Sequence, residues 1–317
     1  MNVIQETNFD FLGNKTVGKV RDIYDLPAQA GHSDRFIFIT TDRHSSFDRI
    51  IAHIPHKGAV LNLLSAFWFD QTKSVVPNHV ITIPDPNVTV AKKCTPLPIE
   101  GVVRGYLTGS TNTSLWTLYE EGKREFGNFQ LPDGMKKNEK LDTPVFTPST
   151  KSNDHDRTLS PQEIVSEGIL TKSVIDQVEK VSLALFNIGM EIAHRQGLIL
   201  VDTKYEFGFD EDGVLTLIDE VHTPDSSRYW KRDSYEARIA AGQEPEYFDK
   251  EFLRLWFKEH SNPYTDETLP EAPREMVEEL SRRYIEIYEQ ITEQSFPQIS
   301  GDPQQRIKEN LKQYARK

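Results

Sequence analysis

The stretch Leu198–Trp230, LILVDTKYEFGFDEDGVLTLIDEVHTPDSSRYW, constrains the fold of this chain more than any other. Its runs LILVD and VLTLID are the most apolar strand-length segments of the sequence, and Asp210-Glu211-Asp212-Gly213 joins them as a turn. Side chains alternate across a strand, so Asp202, Lys204 and Glu206 share one face while Val201, Tyr205 and Phe207 share the other. With Phe209 opposite Val214, Lys204 pairs with Asp219, and Glu206 lies diagonal to it, roughly 7–8 Å away between Cα atoms. Three carboxylates and a lysine on one patch read either as a solvated face with cross-strand ion pairs or as a cation site. The apolar flanks put these strands in the interior, where carboxylates need a cation. Hard oxygen donors at this spacing suit Mg²⁺, which bridges one or two carboxylates to substrate phosphates. Lys204 beside them acts as a point charge on phosphate or carboxylate oxygen. A nucleotide–metal site is the stronger reading.

Two other segments have the chemistry to meet anions. In Gly18-Lys19-Val20-Arg21-Asp22 the glycine permits close backbone approach, and Lys19 and Arg21 fall on one side of a strand. A glycine-containing hairpin of this kind folds over nucleotide phosphates in kinase-like lobes; an ordinary basic strand is the competing reading. The sequence carries neither GxxxxGK(S/T) nor GxGxxG, which argues against P-loop and dinucleotide-binding folds. Further on, a strand ends at Arg104, glycines make a loop, and a helix starts near Ser110–Asn112. Free N–H groups and hydroxyls at a helix start favour phosphate, and Arg104 adds a bidentate donor. A plain N-cap explains the same residues.

The remaining pattern is strands first, then mixed helix and strand, which gives an α+β protein with two lobes. Arg35–Thr41 reads as a strand, and Val60, Leu61, Leu64, Phe67 and Trp68 mark an amphipathic helix between Lys57 and Lys73. Residues Gln130–Asp156 contain few apolar side chains and read as a long loop. Ser160-Pro161-Gln162-Glu163 is a capping box with Gly168 as a stop, and a longer helix runs from Thr171 to a C-cap at Gly197. The chain divides into residues 1–95, a mainly antiparallel β lobe with the nucleotide loop, and 96–317, a larger α/β lobe with the substrate and metal site and a helical C-terminal region. With 37 Lys+Arg against 49 Asp+Glu, the net charge of −12 argues against nucleic-acid and anionic-membrane partners. The single cysteine, Cys94, excludes an intramolecular disulfide and fits a reducing compartment. The N-terminus lacks the pattern of a secretory signal, and no apolar run reaches spanning length, so a soluble cytoplasmic protein is expected.

Taken together these segments resemble SAICAR synthetases. The resemblance rests on Leu97-Pro98-Ile99-Glu100-Gly101-Val102-Val103-Arg104-Gly105-Tyr106-Leu107-Thr108-Gly109-Ser110, on Leu200-Val201-Asp202-Thr203-Lys204-Tyr205-Glu206-Phe207-Gly208, on Gly18–Tyr24, and on the block from Asp219-Glu220 to Arg228-Tyr229-Trp230. In Asp42-Arg43-His44-Ser45-Ser46-Phe47-Asp48, His44 stands where the family has a β-branched residue and Ser46 where it has alanine. Length and the DSSRYWKRDSYE stretch point to the longer, fungal-type members.

The resemblance implies a two-lobed fold with a kinase- or ATP-grasp-like nucleotide site between the lobes. The implied reaction joins L-aspartate to a carboxylated aminoimidazole ribotide (CAIR) at the expense of ATP, with Mg²⁺, giving SAICAR, ADP and phosphate in purine biosynthesis. Carried over by motif, Gly18, Lys19, Val20, Arg21, Lys204 and Asp219 bind nucleotide, and Glu206 and Asp219 bind the metal. Lys204, Glu206 and Asp219 form the catalytic set. Arg104, Ser110 and Arg228 hold the ribotide phosphate, Asp202 and Asp225 accept hydrogen bonds from ribotide, and Lys151 and Asp156 close over substrate. A small-molecule kinase and a non-catalytic nucleotide-binding regulator are the alternatives; the oligomeric state and the aspartate pocket stay open.

Overall fold

In the computed structural model the described residues are 2–26, 34–47, 49–111, 113–151, 157–248 and 251–314. The chain opens with β1 (Lys15–Val17), β2 (Arg21–Leu26), β3 (Arg35–Thr40), the ribbon of β4 (Arg43–Ser46) and β5 (Arg49–His53), and α1 (Lys57–Thr72). β6 (Val80–Asp85), β7 (Val88–Lys92), β8 (Thr95–Leu107), α2 (Leu115–Glu120), β9 (Glu139–Phe146) and β10 (Ser149–Thr150) follow. Then come α3 (Pro161–Ser166), α4 (Lys172–Arg195), β11 (Leu198–Phe209), β12 (Leu215–Ile218), β13 (Ser227–Lys231) and the helices α5 (Arg232–Ala240), α6 (Glu251–His260), α7 (Arg274–Thr292) and α8 (Pro303–Leu311).

Alternation builds the first sheet, which is antiparallel in the order β1-β2-β3-β7-β6. β2 sends Asp22, Tyr24 and Leu26 inward. Ile4, Phe9, Ile37, Ile39, Val88 and Val90 join Tyr24 in its core, and Ile307 and Leu311 of α8 complete that core from the far end of the chain. Gly18-Lys19-Val20 is the turn between β1 and β2, closed by the Gly18 N–H on the Arg21 carbonyl at 2.8 Å. Lys19 and Arg21 therefore do not share one strand face: a turn, not a continuous strand, separates them.

The second sheet is built on the long neighbours β8 and β11. β11 pairs with β13 over its first half and with β12 over its second, while β8 pairs with β10 and then β9 in the same manner. Where β12 stops and β13 begins, residues 219–226 leave the sheet. α4 covers the opposite face: it is capped at Thr171 and stops before Gly197 (φ +72°), and Gly101 of β8 lies against Ser182 of α4. The capping box at Ser160 forms as expected, with the Glu163 carboxylate on the Ser160 N–H at 2.7 Å.

Three local expectations need correction. The region read as a loop from Gln130 contains β9, whose polar composition reflects one exposed side and pairing to β8 alone. β8 runs through Arg104 to Leu107, and the following helix starts at Leu115 with Ser114 as N-cap, so Ser110 lies in the preceding loop. α1 is buried around most of its circumference instead of amphipathic, because it packs on the first sheet on one side and on α7 and the main core on another. His44 is fully buried on β4 opposite Ala52.

Candidate active site

A bulge in β11 decides which side chains reach the site. Leu200 pairs with Tyr229 and Asp202 with Arg228, so Val201 is an extra residue. Before it, Leu198 and Leu200 pack into the main core; after it, Tyr205 and Phe207 do. One extra residue exchanges the two faces, so Asp202, Lys204 and Glu206 turn away from α4. Val201 packs with Tyr106, Ile199 and Trp230, not beside Tyr205 and Phe207 as simple alternation has it. Across the sheet, Arg104 lies opposite Asp202, Val102 opposite Lys204, and Glu100 opposite Glu206. Arg228 flanks Asp202 from β13. One face thus carries the row Arg104–Asp202–Arg228 and, further along, Glu100–Glu206, with Lys204 between.

The hairpin register differs from expectation by one residue: Phe209 pairs with Leu215 and Glu206 with Ile218. The Asp210 Oδ1 accepts N–H bonds from Asp212 (3.1 Å) and Val214 (2.9 Å), which draws Val214 into the turn. Alternation in this register would send Asp219 to the face away from Glu206. β12 ends at Ile218, however, and Asp219 takes a left-handed backbone (φ +69°), which aspartate tolerates better than most residues. Its carboxylate bonds to the Arg21 guanidinium, whose other nitrogen lies 3.3 Å from Glu220. Arg21 belongs to the first sheet and Asp219 follows the second, so this ion pair joins the lobes.

Beside it, the Lys204 Nζ donates to Glu100 at 2.7 Å and to Glu206 at 3.3 Å, and Lys151 bonds the second Glu206 oxygen. Burial opposes the charge on Lys204, but Glu100, Glu206 and Asp219 outweigh it and hold its pKa above the usual lysine range. Arg21 is raised in the same way, by Asp219, Glu220 and Glu206 against burial. Burial pushes the Asp219 carboxyl up, yet Arg21 and Lys204 pull it below its ordinary value. At Glu220 burial prevails, and its pKa is raised. The β1–β2 turn is braced from below by buried Arg43, which donates to the carbonyls of Lys19 (3.1 Å) and Gly18 (2.9 Å) and to Asp22 (2.9 Å).

The other cluster lines a cavity of about 630 Å³ that includes Arg104, Ser110, Asp202, Asp225 and Arg228. Arg228 grips Asp202 with two nitrogens, one of them at 2.9 Å, and Arg104 lies 3.9 Å from the same carboxylate. Burial lowers the Arg104 pKa to about 10, which leaves it charged at neutral pH. Its Nε donates to Thr147 at 2.9 Å. Asp225 accepts from buried Lys57 at 2.6 Å and from the Tyr284 hydroxyl at 2.7 Å. Glu244 accepts from Lys137 (2.6 Å), Asn138 (2.9 Å) and Tyr247 (2.9 Å).

The residues expected at the site therefore fall into two adjoining groups. Arg21, Lys204, Glu206 and Asp219 converge where the lobes meet, with Gly18, Lys19 and Val20 in the turn beside Arg21. Arg104, Ser110, Asp202, Asp225 and Arg228 line the cavity. Lys151, expected to close over substrate, instead bonds Glu206 in the first group because the Lys151 backbone is tied to Pro98 of β8. Asp156 lies outside the described residues. Sequence reasoning missed Glu100, Glu220, Arg43, Lys57, Lys137 and Glu244. Glu100 was accessible by counting back in twos from Arg104 along its strand; nothing local marks Lys137 or Glu244, which meet across more than 100 positions.

Glu100, Glu206, Asp219 and Glu220 face Arg21, Lys151 and Lys204, one more carboxylate than cations. An all-oxygen, net-negative donor set fits Mg²⁺, which takes one or two carboxylates and completes its shell with phosphate and water. Among the described residues no three acidic, histidine or cysteine side chains form a cage of their own.

A two-lobed α+β fold with a basic turn facing an acidic strand end, beside a cation-lined cavity, defines a phosphate-handling enzyme. The family model for SAICAR synthetase matches residues 14–271, and the chain belongs to that family. It is 54% identical over 313 residues to a phosphoribosylaminoimidazole-succinocarboxamide synthase of Legionella pneumophila (strain Paris), covering 98% of each chain. A chloroplastic enzyme of that name from Arabidopsis thaliana is 54% identical over 92% of this chain and 70% of its own length. Among solved structures, SAICAR synthase from Saccharomyces cerevisiae in complex with SAICAR superposes with a TM-score of 0.79 at 31% identity, over 92% of this chain and 99% of the yeast one. The longer form is thus shared with a bacterial relative as well as with yeast.

Proposed function

We propose that this protein condenses L-aspartate with CAIR at the expense of ATP, forming SAICAR, ADP and phosphate in purine biosynthesis. A carboxylate is a poor electrophile, since its departing group would be an oxide. Transfer of the ATP γ-phosphoryl group to the CAIR carboxylate gives an acyl phosphate, and the aspartate amine then displaces phosphate from the acyl carbon. One observation supports this reading above the others: a phosphate-handling cluster and a ribotide-sized cavity adjoin on one sheet face, joined by β11.

Lys19 in the β1–β2 turn and Lys204 on β11 hold the triphosphate oxygens. Arg104 and Arg228, with Ser110, hold the ribotide phosphate, and Asp202 fixes both guanidiniums by sharing them. Asp202 and Asp225 accept from ribotide hydroxyl or amine groups. Glu206 and Asp219 would hold Mg²⁺, which screens charge on the transferring phosphoryl group when bound. Arg21 and Lys151 neutralise those carboxylates until then. Asp225 is held in place by Lys57 and Tyr284, so it offers a rigid acceptor at the cavity wall.

The reaction proceeds in the cytoplasm in this reading, and among the described residues no helix is long and apolar enough to cross a membrane. An assay with ATP, Mg²⁺, L-aspartate and CAIR, omitting each in turn, tests it. Phosphate release that requires all four components is expected. Turnover without aspartate would make the protein a kinase, and ATP binding without turnover a regulator.

A further inference from the structure

Residues 219–226 leave the second sheet between β12 and β13 with a site carboxylate toward each end, and the two ends are held differently. Asp225 has its own anchors in Lys57 and Tyr284. Asp219 has Arg21, a cation of the first sheet that gives way in the proposed mechanism once metal binds. A second hold on the Asp219 end lies on the reverse face of the sheet. His222 is fully buried against the main core. Its Nε2 is bonded to the Tyr205 hydroxyl, and its carbonyl accepts from the Tyr229 hydroxyl at 2.7 Å. Tyr205 stands on β11 between Lys204 and Glu206, its ring in the core while their side chains face the site. One bond behind the sheet therefore ties the loop to the stretch of β11 that serves the nucleotide group.

Packing alone does not account for a histidine here. The backbone is left-handed (φ +49°), and Nδ1 has no hydrogen-bond partner among the described residues. A buried nitrogen left unbonded is destabilising, and an apolar side chain would avoid it. α4 makes room for the ring only by carrying glycine: a Cβ on Gly189 would lie 2.3 Å from the imidazole Cε1 and 2.7 Å from Nδ1. Glycine weakens a helix interior, so the ring imposes a second local penalty. What an apolar residue cannot do is accept from Tyr205. Burial keeps the imidazole neutral and the phenol protonated, so the hydroxyl donates, Nε2 accepts and the ring proton sits on Nδ1. Trp68 stands edge-on to the ring at 4.7 Å between centroids and fixes its plane.

We propose that His222 is a positioning residue for phosphoryl transfer: its bond to Tyr205 holds the start of the loop in register with β11, so that the Asp219 carboxylate stays aligned with Lys204 and Glu206 when Arg21 releases it. This rests on the ligase reading of the whole site. The test compares His222→Leu with His222→Gln in the full chain, well below the unfolding midpoint of each. Both variants share the left-handed backbone position, and only glutamine can place an acceptor oxygen near the Nε2 position. His222→Leu should lower kcat about tenfold or more, while the CAIR KM, which reports on the Asp225 end, stays within about threefold. The tightening of ADP binding by Mg²⁺, read by titration calorimetry, should shrink in the same variant. His222→Gln should recover most of both losses. Tyr205→Phe removes the same bond from the other side and should reproduce the leucine phenotype, with the double variant no worse than either single one; it carries the test if His222→Leu fails to fold. Unchanged kcat and Mg²⁺-dependent ADP binding in either folded variant would make His222 a packing residue. A glutamine variant no better than leucine, or a CAIR KM that rises as far as kcat falls, would overturn the proposal as well. Absence of aspartate-dependent phosphate release from the unaltered protein would instead overturn the ligase reading, while the calorimetric comparison still decides whether His222 sets the metal–nucleotide group.

Discussion

Asp219 combines two demands that rarely meet in one side chain. It occupies a left-handed backbone position (φ +69°) and carries the carboxylate that pairs with Arg21. Asparagine tolerates that backbone nearly as well and removes the charge, so Asp219→Asn separates the two roles. The expected result is a kcat lower by on the order of 100-fold, measured well below the melting temperature of a variant that loses the ion pair to Arg21 but keeps a cooperative unfolding transition. Retained turnover in Asp219→Asn would remove the carboxylate from the mechanism. Buried imidazoles give a second test. Burial lowers His79 to about 4 and His222 to about 3, against 6.5 for an unperturbed ring, so both are neutral in the fold at pH 7. Below pH 6.5 the unfolded chain takes up protons that the fold refuses. The stability these rings contribute is complete above that pH and falls as pH drops toward 4, by about 1.4 kcal/mol per pH unit for each ring. The raised carboxyls of Asp42 and Glu220 act in the opposite sense. His79→Phe, placed between the rings of Phe38 and Phe69, should therefore flatten the decline in urea midpoint between pH 7 and 5. Parallel declines in parent and variant would show that His79 is already charged or solvated.

Strands placed the acidic residues more accurately than turns did. The alternation Asp202-Lys204-Glu206 was legible because both flanking runs are apolar, and the helix from Thr171 to Gly197 because its caps and stripe agree. The Val201 bulge was not legible: an extra residue in a strand leaves no local mark, and its effect depends on pairing with β13, about 30 positions away. The register slip at Val214 arose from side-chain bonds of Asp210 that a count of turn residues does not see. The glycines before Ser110 suggest a loop leading into a helix start, but Gly105 lies within β8 and Gly109 makes the turn. Gly109 has φ +113°, a Cβ there would lie 2.3 Å from the Ser114 Cβ and 3.5 Å from an Arg228 nitrogen. Gly109→Ala must move this loop, at a strain of about 1–3 kcal/mol. The CAIR KM is expected to rise about tenfold or more, with the ATP KM nearly unchanged. A rise in the ATP KM alone would assign the Gly109 loop to the nucleotide.

The two lobes are joined by more than the ion pair between Arg21 and Asp219, because the last helix of the chain reaches the core of the first sheet. Arg306 on α8 donates to both oxygens of Asp85 (2.9 and 3.1 Å) and to the Asn87 side chain (2.6 Å). Asn87 in turn donates to the Thr40 carbonyl at 2.9 Å, and the next residue, Thr41, donates its N–H to the Val20 carbonyl at 2.9 Å. A continuous set of hydrogen bonds therefore runs from the C-terminal helix to the turn that meets the nucleotide in the proposed mechanism. Arg306→Ala leaves the fully buried Asp85 carboxylate with Asn310 (2.8 Å) and the Asn87 N–H (2.9 Å) but without its cation. Breaking a pair with one buried partner costs about 3 kcal/mol, which a lowered urea midpoint would register. If the connection also positions the turn, the ATP KM of the folded variant rises several-fold at a temperature well below its melting point, while the CAIR KM stays near that of the parent. A variant that loses stability yet keeps its ATP KM would show that α8 supports the core of the first lobe without setting the geometry of its nucleotide turn.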